Sequence, residues 1–481
     1  MKKVKSILKI LSAQTLTIVI LLVLVEISGK IYAYFNPGYE TLYAIPDKFI
    51  GWRLAPDLNY VSTGQNWYAN EFEVKIKHNS QGFRDYNRTL TKPNGTKRIA
   101  LLGDSSVSAR QVEFKNTPGQ VLERLLNKNL KSKERRAYEV LNFGIDGIGV
   151  GQSYLTYRKY ANAYDPDYVF LFIFEGDIWR TIAFQSAITN DFNTNKKLPI
   201  RPIFNWAIEE SGKNNTIMPF LEVLNFSSFY QYLAALKSQK LISGDILPPS
   251  EEEYFDLINS LKSLITEKKT AEISRKLIAA NKLILSTPDQ GIFDEFVRLQ
   301  AERIKTDFGE DRTRIRKHKI FLVDLWKKIK FGLSKLNNVY DPELAMKKEF
   351  DILIKTFSPQ RPNDLFSGSF NFPNFESAIF INLKVLQILN RDITSSGRKF
   401  IIVDASSHII KHGRLPGYLL SEILKKYCKV NGIGYIPLSD SLNESKQNGL
   451  QTRWPIDGHL NENGYRIFGE AMFEWIKNNQ N

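Results

Sequence analysis

Ser105 has the surroundings of a catalytic nucleophile. It follows Gly103 and Asp104 at the end of a short apolar run, and a helical pattern comes after it. In open α/β folds, ligands bind at the carboxyl ends of the strands, where the next helix offers free backbone N–H groups to an oxyanion. Since Gly, Asp and Ser are also common in turns, these residues alone favour a nucleophile and an ordinary turn equally.

Asp457 and His459 could supply the general base. They precede the last helical pattern of the chain, in a segment that we expect to be extended, so that side chains two residues apart point the same way. An Asp that accepts the imidazole Nδ1–H leaves Nε2 to take the proton of a serine hydroxyl. Of the five histidines, only His459 has a carboxylate within two residues in such a segment. Taken singly, a capping Asp and a surface His would explain the pair.

Residues 142–147 could contribute to an oxyanion hole. They read Asn-Phe-Gly-Ile-Asp-Gly and follow a second short apolar run. A glycine in this turn lets its backbone N–H approach a developing oxyanion without obstruction by a side chain. The alternative is a flexible connection between a strand and a helix.

Alternating strand and helix patterns place these residues at one edge of a predicted sheet. Apolar runs at 98–102, 139–143 and 168–174 predict buried strands, with helical patterns at 119–130 and 152–160 between them. This order is typical of right-handed crossovers in a parallel sheet. The pattern returns with strands at 399–403 and 432–438 and a last helix at 464–476. We therefore predict an α/β fold.

The order of these motifs resembles the SGNH (GDSL-type) hydrolase family, in its membrane-anchored bacterial envelope form. The resemblance covers residues 98–178 and about 377–481, and Gly51-Trp52-Arg53 and residues 79–85 look like the leader of such proteins. It implies a flavodoxin-like three-layer sandwich with a parallel sheet, a small β-rich N-terminal appendage and a large helical insertion. The predicted parts are a membrane anchor (1–35), a β-rich leader (36–97), a hydrolase domain in two pieces (98–178 and 377–481) and the helical insertion (179–376).

The resemblance also implies roles for individual residues. Ser105 would be the nucleophile, His459 its general base and Asp457 the acid that orients the base. The further candidates are Ser105, Gly147 and Gly176 for the oxyanion hole, and Asp104, Asn142 and Asp177 for substrate binding. No metal or organic cofactor is implied.

Two departures from the family pattern affect these roles. The family usually has Gly-Asn-Asp after the third strand, and its Asn side chain donates to the oxyanion, but this chain has Glu175-Gly176-Asp177. Loss of one such donor costs about 10²–10³ in rate, so a backbone N–H or a nearby side chain would have to replace it. In addition, one residue separates Asp457 from His459, whereas the family commonly has two.

The amino terminus predicts export. An apolar run at 10–25 follows four lysines (Lys2, Lys3, Lys5 and Lys9) and can be extended to residue 35 if Glu26 and Lys30 lie at the interface. We expect an uncleaved anchor in the cytoplasmic membrane, with the N-terminus inside and the bulk of the chain extracytoplasmic, periplasmic or extracellular. A cleaved signal peptide is the main alternative, and a buried core helix is a third.

The composition limits the classes of partner and site. The net charge of +15 favours an anionic membrane surface, an acidic polysaccharide or nucleic acid, and export makes nucleic acid the least expected. Part of this charge lies at 303–335, which is either a membrane-surface or polyanion-binding face or an ordinary solvated helix face. Cys428 is the only cysteine, which excludes an intrachain disulfide and a thiolate-rich metal site.

These observations predict acyl transfer through an acyl-Ser105 intermediate, with water or a sugar hydroxyl as acceptor. The expected substrates are acyl esters, above all O-acetyl esters, of envelope glycan or lipid. One alternative is a catalytically weak or inactive SGNH scaffold that binds envelope polysaccharide through its basic insertion. Another is a basic nucleic-acid-binding protein, which would have to be exposed to the cytoplasm.

Overall fold

A computed structural model of the protein describes most of the chain outside the insertion. The described residues are 2–35, 38–64, 71–130, 137–182, 202–207, 282–286, 290–315, 375–406, 417–455 and 457–479, together with 268, 271, 322 and 326.

The chain begins with a long apolar helix, α1 (Lys2–Phe35). Its segment Ala13–Tyr32 is long and apolar enough to cross a membrane, although an export signal would have the same properties. This segment is almost entirely exposed, which argues against a helix buried in a core. Glu26 and Lys30 form an ion pair of 3.4 Å on adjacent turns, so the two charges near the end of the apolar segment compensate each other.

The leader is β-rich, as its alternating pattern predicts. Its strands are β1 (Tyr39–Thr41), β2 (Ala44–Asp47), β3 (Gly51–Leu54), β4 (Asn59–Thr63) and β5 (Glu73–Lys77). Antiparallel pairing joins β2 to β3 and β4 to β5. Trp52 in β3 is fully buried, and its Nε1 donates to the carbonyl oxygen of Asp146 at 3.0 Å. The leader is therefore packed against a turn of the main domain.

Five parallel strands form the central sheet. They are β6 (Thr96–Gly103), β7 (Ala137–Gly144), β8 (Tyr168–Ile173) and, from the carboxyl-terminal part, β12 (Lys399–Asp404) and β13 (Gly434–Pro437). Their order across the sheet is β7-β6-β8-β12-β13. In sequence order this is 2-1-3-4-5, the order of flavodoxin-like doubly wound sheets. The order reverses between β6 and β8, and in such sheets ligands bind at the carboxyl ends of the strands beside that reversal.

Helices cover both faces of the sheet. Successive residues of a strand face opposite sides, so Ile99 and Leu101 belong to one core and Ala100 and Leu102 to the other. The first core is covered by α3 (Pro118–Asn129), α9 (Leu438–Gln447) and α10 (Glu462–Asn478), and the second by α4 (Val150–Lys159), α5 (Glu175–Ile182), α7 (Phe375–Thr394) and α8 (Gly417–Asn431). The predicted α/β fold is confirmed.

The described part of the insertion contains both helical segments and short strands that were not predicted. Besides α6 (Gln290–Arg303), it contains three short strands, β9 (Ile203–Ala207), β10 (Lys282–Ser286) and β11 (Thr313–Ile315). β9 pairs with β10, and β11 pairs with β1 of the leader. Strands of three to five residues that pair across long stretches of sequence carry too little alternation to be read from a local pattern. The helix expected at 254–265 lies outside the described residues, and only 322 and 326 of the helix expected at 321–336 are described; both are helical.

Two arginines in the described part of the basic stretch 303–335 contact acidic and aromatic side chains. The Arg314 guanidinium lies 4.3 Å from the centre of the Phe308 ring and 2.9 Å from the Glu40 carboxylate of the leader. Arg303 is buried, 3.8 Å from the Asp307 carboxylate. These contacts are those of a structural interface between the insertion and the leader, and they favour the ordinary explanation of these charges over a polyanion-binding face.

Candidate active site

A tight turn at the end of β6 presents Ser105. Asp104 caps the short helix α2 (Ser105–Ser108): its Oδ1 accepts from the backbone N of Ser106 at 2.9 Å and from the Ser106 hydroxyl at 2.8 Å. A Cβ atom on Gly103 would lie 2.8 Å from Val107 Cγ2. The close approach of β6 and α2 therefore requires a glycine at this position, and it places the serine at the carboxyl edge of the sheet.

His459 lies in a turn before α10, not in the extended segment that we expected. The backbone N of Trp454 donates to the carbonyl oxygen of His459 at 2.8 Å, and Gly458 has a φ of 83°, which favours glycine. This turn, not strand alternation, brings Asp457 and His459 together across a single residue. The short spacing that departs from the family pattern is thus accommodated by a left-handed glycine.

The two ends of the chain meet at this edge. His459 Nε2 lies 3.0 Å from Ser105 Oγ, and His459 Nδ1 lies 2.5 Å from Asp457 Oδ1. With the Nδ1–H donated to the carboxylate, Nε2 is the acceptor for the serine hydroxyl. The His459 side chain is 28% exposed, whereas that of Asp457 is 1% exposed. The imidazole is accessible to a substrate, while the acid that orients it is screened from water.

Asp457 is held as a buried carboxylate. Burial alone would raise its pKa, but the hydrogen bond and charge of His459 and the charge of Arg110 lower the pKa below its ordinary value. Its backbone N donates to Glu71 Oε2 of the leader at 2.6 Å. Its second oxygen, Oδ2, is buried and has no hydrogen-bond partner among the described residues. The interactions with His459 and Arg110 keep Asp457 ionised and available as an acceptor for the imidazole.

Gly147 lies beside the serine turn, in the connection from β7 to α4. Ile145 N donates to the carbonyl oxygen of Gly103 at 3.1 Å, and Asp146 Oδ1 lies 3.2 Å from Ser108 Oγ. Gly147 has a φ of 76°, a conformation that favours glycine. The structure therefore brings the two expected backbone donors, Ser105 and Gly147, to neighbouring turns at one edge of the sheet.

Gly176 lies in the first turn of α5, after β8, where the family has its Asn. The next residue, Asp177, is buried and accepts from Phe174 N at 3.0 Å through Oδ2. Arg180, one turn further along α5, donates from Nη1 to Asp177 Oδ1 at 2.7 Å and to Asp104 Oδ2 at 2.6 Å. Asp104 and Asp177, both predicted to bind substrate, are thus held by one guanidinium.

The two carboxyls beside Arg180 titrate differently. Burial, reinforced by the negative charge of Asp104, raises the pKa of Asp177 to about 8. Burial also works against ionisation of Asp104, but the Arg180 charge and hydrogen bonds from Ser106 and Arg180 keep the pKa of Asp104 below its ordinary value. At neutral pH the cluster holds one carboxylate, one largely protonated carboxyl and one guanidinium.

Asn142 is buried within β7. Its Nδ2 donates to the carbonyl oxygen of Val107 at 2.8 Å, and its Oδ1 accepts from Gly144 N at 2.9 Å. These bonds tie α2 to β7. The contacts favour a supporting role for Asn142 over the predicted contact with substrate.

Sequence reasoning missed the residues that brace the site from the leader. Glu71 binds the backbone of the Asp457 turn. The buried Arg84 donates to the carbonyl oxygens of Ala109, of Val112 at 2.6 Å and of Ser108 at 3.4 Å, directly after the helix that carries Ser105. Arg84 falls within the leader motif at 79–85, which was the available signal, although nothing in that motif indicates which turn it contacts.

No protein-family model matches the chain, and a search of curated proteins found no match.

Proposed function

We propose that the chain is a membrane-anchored SGNH-type serine esterase or acyltransferase that uses Ser105 as its nucleophile. The observation that carries the proposal is the 3.0 Å separation of Ser105 Oγ and His459 Nε2, with Asp457 on the other ring nitrogen. This order of serine hydroxyl, imidazole and orienting carboxylate activates a serine for acyl transfer. The strand order and the glycine turns at the same edge agree with the family resemblance.

The reaction has two halves. Ser105 Oγ attacks the carbonyl carbon of the ester while its proton passes to His459 Nε2, and Asp457 stabilises the imidazolium. The tetrahedral intermediate collapses, the bond to the alcohol oxygen breaks, and Nε2 returns the proton to the leaving alcohol. Water or a sugar hydroxyl then gives its proton to Nε2 and attacks the acyl carbon. The bond between that carbon and Ser105 Oγ breaks, and Nε2 returns the proton to Oγ. The backbone N–H groups of Ser105 and Gly147 would stabilise the oxyanion in both halves.

The proposed substrates are O-acyl esters, in particular O-acetyl esters, of envelope glycan or lipid. An apolar α1 that crosses the cytoplasmic membrane would keep the hydrolase domain next to such substrates on the extracytoplasmic side. The partly exposed His459 at the sheet edge is compatible with a polymer that approaches from solvent.

A fluorophosphonate probe tests the proposal, because it reacts with a serine only when a base activates the hydroxyl. Full-length protein in detergent should be labelled, and both Ser105→Ala and His459→Ala should abolish labelling. Ser106→Ala is the matched control, since the Ser106 hydroxyl binds Asp104 and not the histidine; this variant should retain labelling. Failure of the folded wild-type protein to react would refute the proposal.

The absent Asn at Gly176 is the one observation that favours an inactive scaffold that binds envelope polysaccharide. That alternative predicts binding of acidic glycan by wild-type protein that the probe does not label. Labelling that depends on both Ser105 and His459 would exclude it.

A further inference from the structure

Arg180 packs against the position from which the missing Asn side chain would project. A Cβ atom built on Gly176 has three nearest neighbours, and all belong to the Arg180 guanidinium: Cζ at 3.7 Å, Nη2 at 3.8 Å and Nε at 3.9 Å. Arg180 follows Gly176 by four residues in α5, so the two positions lie on one face of the helix. Because Cζ is the nearest of the three atoms, position 176 packs against the face of the guanidinium plane.

The same guanidinium lies between the two expected backbone donors of the oxyanion hole. Arg180 Nη1 is 2.6 Å from Oδ2 of Asp104, the neighbour of Ser105, and 3.5 Å from the carbonyl oxygen of Ile148, the neighbour of Gly147. The Asp104 Oδ2 atom is itself 3.5 Å from Ser105 Oγ. The guanidinium, paired with the Asp104 carboxylate, is therefore fixed near both turns between which the oxyanion would form.

The surroundings hold this charge in place. Burial opposes ionisation of Arg180, but the charge of Asp104 raises its pKa above the ordinary value, so it stays protonated throughout a reaction. The guanidinium is fixed by two short hydrogen bonds, yet its side chain remains 27% exposed at the site. A donor that is already oriented and partly desolvated stabilises a developing oxyanion without reorganisation.

We propose that Arg180 is a catalytic residue that stabilises the tetrahedral oxyanion in place of the block-three Asn. This inference rests on the proposed acyl transfer at Ser105. The oxyanion binds next to the Arg180 guanidinium, alongside the N–H groups of Ser105 and Gly147. No proton moves to or from Arg180, because its contribution is purely electrostatic.

Relocating the donor tests this role. Arg180→Ala should lower kcat for an activated acetyl ester by about 10²–10³ with little change in KM, which is the effect of losing one oxyanion donor. The double variant Gly176→Asn with Arg180→Ala should recover at least tenfold of that loss, because the amide then enters the vacated space. Gly176→Asn alone should gain nothing, since Arg180 occupies that space.

The design separates catalysis from folding. Arg180→Ala and the double variant both lose the ion pair to Asp104 and the hydrogen bond to Asp177, so their melting temperatures should be similar. A rescue therefore cannot come from restored stability. If Arg180→Ala does not fold, Arg180→Lys keeps a charge without the planar fork and should still lose at least tenfold in kcat; wild-type kcat in that variant would overturn the inference.

Two results distinguish this inference from the proposed function. If the wild-type protein reacts with the fluorophosphonate but Arg180→Ala keeps its kcat, only the role of Arg180 is overturned. The same holds if the double variant folds but does not recover kcat. A folded wild-type protein that neither reacts with the probe nor cleaves esters overturns both.

Discussion

Two clusters at the same edge of the sheet each combine a basic side chain with buried carboxyl groups. They differ in whether the basic side chain can exchange a proton near neutral pH. In one, the His459 imidazole lies 2.5 Å from Asp457 and 3.0 Å from Ser105. In the other, the Arg180 guanidinium joins Asp104 and Asp177. An imidazole gains and loses a proton near neutral pH, whereas a guanidinium does not. The His459 cluster is therefore suited to proton transfer, whereas the Arg180 cluster holds a fixed charge.

The largest difference should appear when one acid of each cluster becomes an amide. Asp457→Asn should lower kcat by about 10⁴, because an amide no longer selects the tautomer that leaves Nε2 as the acceptor. The matched variant, Asp177→Asn, should leave kcat at pH 7 nearly unchanged, since that carboxyl is already largely protonated there. Steady-state hydrolysis of an acetyl ester measures both. Equal losses of kcat in the two variants would contradict the proposed difference between the clusters.

A smaller loss should follow when the support of the nucleophile turn is removed. Arg84→Met takes the donor away from the carbonyl oxygens of Ser108, Ala109 and Val112. Each buried carbonyl left without a donor costs about 1–3 kcal/mol in the free energy of unfolding. A shift of the serine by 1 Å can cost about 10²-fold in rate, so we expect a loss of kcat up to that size.

Urea denaturation and ester hydrolysis report the two effects of Arg84→Met. Arg88→Met, which removes a cation bound to Glu123 at 2.7 Å on another helix, is the control, and it should change stability without a comparable loss of kcat. A fully active Arg84→Met variant would show that the leader does not position Ser105.

A separate effect should be a pH dependence of stability that comes from Asp177. The pKa of Asp177 in the folded protein is raised to about 8 from an ordinary value of 3.8. A raised pKa contributes stability below pH 3.8 that is lost as the pH rises towards 8. Asn cannot ionise, so the melting temperature of Asp177→Asn relative to that of the wild type should rise between pH 5 and pH 8.5. A constant gap between Asp177→Asn and the wild type would contradict the assignment.

Part of this architecture was predictable because it depends on local patterns. Short apolar runs of five to seven residues marked the buried strands, and the polar turns after them marked the edge where Ser105 lies. The pairing of His459 with Asp457 was predicted correctly, but from extended backbone. The structure instead uses a turn with a left-handed Gly458, which a spacing of two residues cannot distinguish from a strand.

The supporting residues could not be predicted, because their partners are distant in sequence. Glu71 contacts a turn that lies 386 positions further along the chain, and no local period connects them. Arg180 was the nearest to being found, since it follows Gly176 by one helical turn. Its significance depends on a helix that begins at Glu175, which the broken pattern after the third strand did not indicate.

Trapping the acyl-enzyme tests the central claim most directly. Full-length protein is mixed with an activated acetyl ester, quenched in acid within one turnover and mapped by peptide mass spectrometry. We expect one acetyl group on the peptide that contains Ser105. This acetyl group should be absent in Ser105→Ala and should form far more slowly in His459→Ala. Consumption of the ester with an unmodified Ser105 peptide, or acetyl groups confined to lysines, would contradict it.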